Sequence, residues 1–275
     1  MLHRQGIIDN PLVFRLGVRL ERTADTLKAG EFDFPAAISM WQAAALIASG
    51  KTVLRRLTIA EGLTTRQILT LVGTAEGLTG ETDEQAVPEG TLLPETYFYS
   101  WGDTRSDLVT RMRKAMAAAT AELWPARDAG LTLRSTDEAV VLASIIEKET
   151  GVAEERHRVS AVFHNRLKRG MRLQSDPTVV YGLAGGSGGL GRPLTRSDLA
   201  MPSPYNSYLN HGLPPGPIAN PGRAAIEAAL RPDDSKDLYF VADGSGGHAF
   251  ARTLEEHNRN VARFRRLQRL RKTAP

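Results

Sequence analysis

A chain of 275 residues, 41% of them hydrophobic, has enough apolar material for one large or two smaller folded domains, which excludes a wholly disordered protein. The formal net charge of +4 arises from 35 cationic and 31 anionic side chains mixed along the chain, so anionic partners are permitted but not required. Because there is no cysteine, disulfide frameworks and thiolate metal sites are excluded.

The amino-terminal third contains an internal repeat, in which residues 32–47 align without gaps on residues 57–72. Each copy alternates like a short strand, turns, and then opens a helix. Ser39 or Thr64 stands at the N-cap with a glutamine three residues later, which is the pattern of a capping box. We therefore predict two strand–helix units, with a role in binding, in spacing or simply in packing.

A polar segment at residues 79–90 is the best candidate for a domain boundary. We predict a small strand–helix module over residues 1–80 and a larger domain over residues 81–275. Just beyond the boundary, residues 106–124 form an alanine-rich helix whose apolar side chains recur at helical spacing.

An apolar segment at residues 137–150 predicts a buried helix that ends in two carboxylates. Ser135 and Glu138 have the spacing of a capping box, and Gly151 stands where a helix usually stops. The two carboxylates, Glu147 and Glu149, therefore fall in the last turn.

These two acids project to different sides of the predicted helix. At about 100° per residue, Glu149 lies among Leu142, Ile145 and Ile146, whereas Glu147 lies roughly opposite. Burial and the negative end of the helix dipole both disfavour a charged carboxylate, so we predict that the Glu149 pKa is raised toward neutrality. Such an acid can donate a proton. The alternative is that both acids are solvated at a frayed helix end.

The following segment, residues 154–169, predicts an amphipathic helix with a cationic outer face. This face carries three arginines that either bind an anionic ligand or simply face solvent, namely Arg156, Arg158 and Arg166. Next, residues 171–174 predict a short strand.

After that strand, Asp176 is expected as the N-cap of a further helix, with Pro177 at its first position. Capping alone accounts for Asp176. Gln174 and Thr178 beside it have no such structural explanation, so they are candidate functional residues.

A loop without periodicity covers residues 202–222, and its six prolines predict a stiff, ordered structure rather than disorder. Its tyrosines and asparagines suit sugar rings and N-acetyl groups. Residues 238–250 then predict a hairpin that brings Asp243 and His248 near one another.

The closing helix, residues 253–272, is rich in arginine, which invites a nucleic-acid interpretation. Its apolar side chains recur at packing intervals, however, and no nucleic-acid-binding signature accompanies them, so we predict no nucleic-acid partner. The histidines never adopt metal-ligand spacing, and neither a nucleophile elbow nor a phosphate loop occurs. We therefore predict no metal and no cofactor.

Six motifs, in their order and spacing, resemble those of the YceG-like endolytic murein transglycosylases over roughly residues 28–265. The motifs are residues 143–150 (ASIIEKET), 165–167 (NRL), 171–178 (MRLQSDPT), 205–208 (YNSY), 212–218 (GLPPGPI) and 238–248 (LYFVADGSGGH). The resemblance implies an α+β fold, with a small LysM-like module followed by a larger mixed catalytic domain. The catalytic acid is expected on a central buried helix of that domain.

The resemblance also implies an activity. Such an enzyme cleaves the β-1,4 bond between N-acetylmuramic acid and N-acetylglucosamine in peptidoglycan and leaves 1,6-anhydro ends, acting on nascent strands as a terminator of glycan elongation. One glutamic acid suffices for this chemistry, whereas a hydrolytic glycosidase generally needs two carboxylates. Glu149 followed by Thr150 resembles the Glu–Ser pair of other lytic transglycosylases.

Glu149 is therefore the expected catalytic acid, and Glu147 is the alternative second carboxylate. The candidate substrate-binding residues are Gln174, Asp176, Thr178, Tyr205, Asn206 and His248. Peptidoglycan glycan strands are the expected partner, with peptidoglycan synthases implied as further partners. A non-catalytic peptidoglycan-binding scaffold and a water-using muramidase stay open as alternatives.

The start of the chain departs from the family pattern. Family members begin with a cytoplasmic tail and one membrane-spanning helix, whereas no window here approaches the ~20 apolar residues that span a bilayer, and no signal peptide opens the chain. We expect a shortened form of a protein anchored at the periplasmic face of the cell inner membrane. That location is implied by the resemblance alone.

Overall fold

Ten α-helices and four β-strands lie within residues 1–273, the residues that the computed structural model describes. The helices are α1 (Pro11–Leu20), α2 (Met40–Ser49), α3 (Thr65–Thr74), α4 (Arg105–Leu123), α5 (Thr136–Glu149), α6 (Arg156–Lys168), α7 (Asp176–Ala184), α8 (Arg196–Leu199), α9 (Arg223–Leu230) and α10 (Leu254–Thr273). The strands are β1 (Leu54–Thr58), β2 (Thr96–Ser100), β3 (Tyr239–Ala242) and β4 (His248–Ala251). They pair as two antiparallel ribbons, β1 with β2 and β3 with β4, which confirms the predicted α+β class.

The chain divides into two units. The first comprises residues 1–58, 71–82 and 96–108, and the second comprises residues 59–70, 83–95 and 109–275. The predicted boundary at residues 80 and 81 and the LysM-like character of the amino-terminal module stay predictions.

The first unit contains the antiparallel pair of β1 and β2, with Leu54 opposite Ser100. Its apolar core is a cluster around α1 and α2, formed by Ile8, Phe14, Val18, Ala44 and Ile47. The strand predicted at the start of the first repeat copy is wrong, because residues 32–38 form no strand. Phe32 and Phe34 pack against the apolar cluster instead.

Both capping boxes predicted in the repeat are confirmed. At the start of α2, the Ser39 hydroxyl accepts a hydrogen bond from the Gln42 N–H, and the Gln42 side chain accepts one from the Ser39 N–H. Thr64 and Gln67 make the same reciprocal pair before α3. These caps satisfy backbone donors that would otherwise be unpaired at a helix start.

The second unit is organised around α5, whose residues from Ala139 to Ile146 are all buried. Helices α6, α7 and α9 pack around it. The helix is capped differently from the prediction. Ser135 accepts from the Glu138 N–H, but the Glu138 carboxylate accepts from the Arg134 N–H at 2.6 Å, so only half of the capping box forms.

The helices predicted at residues 106–124, 154–169 and 253–272 are confirmed as α4, α6 and α10, and the predicted hairpin is confirmed as β3 and β4. The loop at residues 202–222 contains neither helix nor strand and has several buried residues. Among the described helices, none has the length and apolar composition that crossing a bilayer requires.

Candidate active site

Glu149 is the last residue of α5, and a single hydroxyl from another segment reaches it. Ser175 Oγ donates a hydrogen bond to Glu149 Oε1 at 2.5 Å. Ser175 is itself held in place, because its N–H donates to Ser207 Oγ at 2.9 Å and its carbonyl accepts from Thr178 Oγ1 at 2.7 Å. The donor is therefore fixed before any ligand arrives.

Burial raises the pKa of Glu149 to about 7. The hydrogen bond from Ser175 opposes this rise, the charge of Asp176 adds to it, and His248 and Arg166 oppose it. The direction agrees with the prediction from the helix projection, and the physical cause is the same, namely loss of solvation of the charged form. Near neutral pH, Glu149 therefore holds a proton in a large fraction of molecules.

Glu147 is buried as well, which the helix projection did not predict. Its side chain is 6% exposed, and its Oε2 accepts a hydrogen bond from the Gly222 N–H at 2.9 Å, with Arg156 at 3.8 Å. Burial raises the pKa of Glu147 as well, and the bond from Gly222 opposes that rise. The loop before α9 covers this side of α5, which helical spacing alone does not reveal.

Two exposed polar side chains flank Ser175. Gln174 has a left-handed backbone, with φ of 51°, and its N–H donates to Ser207 O at 3.1 Å. A non-glycine residue in that region is uncommon and clusters at functional sites. The Asp176 carboxylate accepts from the Tyr208 hydroxyl at 2.6 Å. Asp176 is the first residue of α7 and Ser175 is the N-cap, so the N-cap prediction is wrong by one position.

The short strand predicted at residues 171–174 is also wrong, because this segment has no regular structure. Arg166 holds it by donating to Leu173 O and to Leu238 O, each at 2.7 Å. The Arg166 side chain is buried, not on the outer face that the sequence predicts. Its guanidinium donates to backbone carbonyls of two segments that border the site, so it is not available to a ligand.

The other two arginines of the predicted cationic face are paired as well. Arg158 forms an ion pair with Asp237 at 2.8 Å, and Arg156 lies 3.5 Å from Glu61 and 3.8 Å from Glu147. We therefore assign this face to structure rather than to ligand binding.

His248 opens β4 and is oriented by Glu155. Its Nδ1 lies 2.7 Å from Glu155 Oε2, and its N–H donates to Glu155 Oε1 at 2.9 Å. This pair fixes the orientation of the imidazole. The charge of His248 lowers the pKa of Glu149. Asp243, at the other end of the turn, is held by Ser245.

Of the remaining candidates, Thr178 and Asn206 are buried and bonded within the chain. Thr178 Oγ1 lies 2.7 Å from Ser207 Oγ, and the Asn206 amide donates to the carbonyls of Leu199 and Met201. We assign both to support of the loop rather than to substrate contact.

Tyr205 is half-buried, and its ring lies 4.8 Å from that of Tyr181. Sequence reasoning missed four residues of this region, namely Glu155, Arg166 in its buried role, Ser175 and Tyr208. Of these, Ser175 had a signal in the sequence, since it stands between the two selected residues Gln174 and Asp176.

The model of the YceG-like family matches residues 1–263 of the 275 in the chain. This chain belongs to the YceG-like family. A crystal structure of a YceG-like protein from Listeria monocytogenes is 32% identical, with a TM-score of 0.60, and the match covers 94% of this chain and 92% of that chain.

Two relatives in the family carry a functional name. The endolytic murein transglycosylase of Bacillus subtilis is 39% identical over 176 residues, which cover 64% of this chain and 48% of that protein. The endolytic murein transglycosylase of Streptococcus pneumoniae is 32% identical over 309 aligned positions, which cover 95% of this chain and 55% of that protein. The chain thus spans about half the length of these relatives.

Proposed function

We propose that this chain is an endolytic lytic transglycosylase of peptidoglycan with Glu149 as its catalytic acid. It cleaves the β-1,4 bond between N-acetylmuramic acid and N-acetylglucosamine and leaves a 1,6-anhydro end. The observation that carries the proposal is a carboxyl group with a pKa of about 7 that meets one fixed hydroxyl donor beside exposed polar groups. The names of the two bacterial relatives support the substrate and the reaction class.

The reaction requires one group to act first as an acid and then as a base. Protonated Glu149 gives its proton to the glycosidic oxygen, and the bond from that oxygen to C1 of the muramyl residue breaks. The resulting carboxylate then accepts a proton from the C6 hydroxyl of the same residue, whose oxygen bonds to C1. The acid is regenerated and no water is consumed. A pKa near the working pH suits both steps.

Four side chains are proposed to position the glycan, because they retain exposure and either flank Ser175, act on Glu149 through their charge, or offer an aromatic ring in the adjoining loop. They are Gln174, Asp176, Tyr205 and His248. Glu147 is a poor second carboxylate, since Gly222 and Arg156 already engage it.

The cellular role is proposed from the resemblance and the relatives. The enzyme acts on nascent strands as a terminator of elongation, works beside peptidoglycan synthases, and is anchored at the periplasmic face of the inner membrane.

Mass spectrometry of digests of purified peptidoglycan tests the proposal, with Glu149→Gln and the matched control Glu147→Gln. We expect anhydro-muramyl products from the unmodified chain and from Glu147→Gln, and none from Glu149→Gln. The reverse pattern would make Glu147 the acid. Reducing ends would indicate a muramidase, and binding without any product would indicate a scaffold.

A further inference from the structure

A cavity of about 360 Å³ lies in the second unit. Lys148 and Asp176 line it, and they are the sequence neighbours of Glu149 and of its donor Ser175. Its volume falls within the usual range for small-ligand sites. Most of its wall is apolar, formed by Val180, Tyr181, Ala184, Leu194 and Ile218.

One wall of the cavity is a glycine-rich segment that two contacts hold in place. Thr64 Oγ1 donates to Gly186 O at 2.7 Å. Gly188 has φ of +97° and packs against the end of the Gln67 side chain, which a Cβ would displace. Glycine is thus favoured there by the backbone conformation.

Two further side chains of the cavity are fixed by carboxylates. Arg192 donates to both oxygens of Asp198, at 2.6 and 3.0 Å, and Asp198 also caps α8 through Thr195. The Tyr181 hydroxyl donates to Glu89 at 3.3 Å. The cavity therefore has walls that are built before a ligand enters, which lowers the entropy cost of binding.

The charges around the cavity differ in how far they are engaged. Arg192 is neutralised by Asp198, and the Asp176 carboxylate accepts from Tyr208. Lys148 donates to Gly62 O at 3.2 Å, and within residues 1–273 it forms no salt bridge, although its charge lowers the pKa of Glu147. An ammonium group has three N–H donors and this bond uses one of them, so Lys148 can also bind an anion.

We propose that this cavity is the subsite for the acidic, peptide-bearing lactyl arm of the muramyl residue at the scissile bond. The methyl groups of the lactyl ether and of the first stem residue pack on the apolar wall, and a stem carboxylate pairs with Lys148 Nζ. This inference rests on the proposed function. It predicts discrimination against chitin, which has the same β-1,4 backbone of N-acetylated sugars but carries no such arm.

Isothermal titration of the folded Glu149→Gln variant tests the subsite, with a muramyl disaccharide-peptide and with chitotetraose as ligands. In that background, Lys148→Met should weaken muropeptide binding about tenfold, the size expected from losing one charge-assisted hydrogen bond. Ala184→Trp, which fills the cavity, should abolish it. The matched controls are Lys168→Met, an exposed lysine on α6, and Ala117→Trp, in a separate cavity; each should change binding less than twofold.

Chitotetraose should bind more weakly and should not respond to Lys148→Met. The subsite is overturned if the muropeptide and chitotetraose bind equally, if Lys148→Met leaves muropeptide affinity within twofold, or if Glu149→Gln binds no muropeptide. Thermal unfolding separates a blocked cavity from a misfolded Ala184→Trp chain. Anhydro products from the unmodified chain test the proposed function separately, so its success does not depend on the subsite.

Discussion

The region around Glu89 and the region around Glu149 each place a carboxylate out of solvent, yet they satisfy it differently. Burial is the largest cause of a raised pKa in both. Glu89 accepts from the Thr65 N–H at 2.7 Å, the Thr65 hydroxyl at 3.0 Å, the Asn220 amide at 2.9 Å and the Tyr181 hydroxyl at 3.3 Å. In the described part of the chain, Glu149 accepts from Ser175 alone.

This difference separates a structural carboxylate from a chemically available one. Four donors from three segments occupy the lone pairs of Glu89, so this carboxylate holds the three segments together. Glu149 keeps lone pairs and a proton for a ligand. A raised pKa by itself therefore does not identify a catalytic acid; the number of donors already engaged decides between the two.

The largest expected effect is on catalysis, where Glu149→Gln removes the proposed acid and base. We expect the rate of anhydro-product formation to fall at least about 10³-fold, within the range for lost general acid–base catalysis. The measurement is a time course of product release at pH 7, with circular dichroism to establish that the variant is folded. If Glu149→Gln retained more than a tenth of the rate, Glu149 would not be the acid, and its role would no longer differ from that of Glu89.

The next largest effect is on stability, where Glu89→Ala removes the acceptor of the Thr65 N–H and the Tyr181 hydroxyl and one acceptor of the Asn220 amide. We expect the free energy of unfolding to fall by about 4 kcal/mol, because each orphaned group costs about 1–3 kcal/mol. Urea denaturation measures it. The matched control is Glu84→Ala, which breaks only an exposed ion pair with Arg66 and should cost about 0.5 kcal/mol or less. Equal losses of stability in the two variants would show that Glu89 does not hold these three segments together.

Local patterns were enough to predict much of the architecture and the buried carboxyl group at the end of α5. The apolar run and the spacing of its carboxylates predicted α5 and the raised pKa of Glu149, and the capping boxes at Ser39 and Thr64 marked two helix starts. These features depend on residues within one or two turns of each other, so they are visible in the sequence.

Features that depend on distant segments were missed. Glu147 is covered by Gly222, 75 positions away in the chain, and Arg166 is buried by carbonyls that include that of Leu238, 72 positions away. Periodicity assigns a face to each residue but does not say which segment packs on it. The donor Ser175 was missed for the same reason, since its partner Glu149 lies 26 positions earlier.

A third effect links Glu149 to stability through pH. The pKa of Glu149 is about 7 in the folded chain against 4.5 for an unperturbed glutamate, so between these values the folded state holds a proton that the unfolded state has lost. Its contribution to stability is complete below pH 4.5 and is lost as pH rises through 7. Relative to Glu149→Gln, which does not titrate, the unmodified chain should lose up to about 3 kcal/mol between pH 4 and pH 8.

Urea denaturation of both chains at several pH values measures this difference. The other two raised carboxylates, Glu89 and Glu147, are present in both chains, so their contributions cancel. Parallel stability curves from pH 4 to pH 8 would contradict the raised pKa of Glu149.

The smallest effect concerns the donor that distinguishes Glu149 from Glu89. Ser175 lowers the pKa of Glu149, so Ser175→Ala should raise that pKa further, by up to about one pH unit for one lost hydrogen bond to a charged acceptor. Since the reaction begins with protonated Glu149, the alkaline limb of the kcat/KM profile should move upward by the same amount. Ser245→Ala, which removes a hydroxyl bonded to the half-buried turn residue Asp243, should leave the limb unchanged. A limb that stays in place in Ser175→Ala would mean that Ser175 supports the loop but does not set the protonation of the acid.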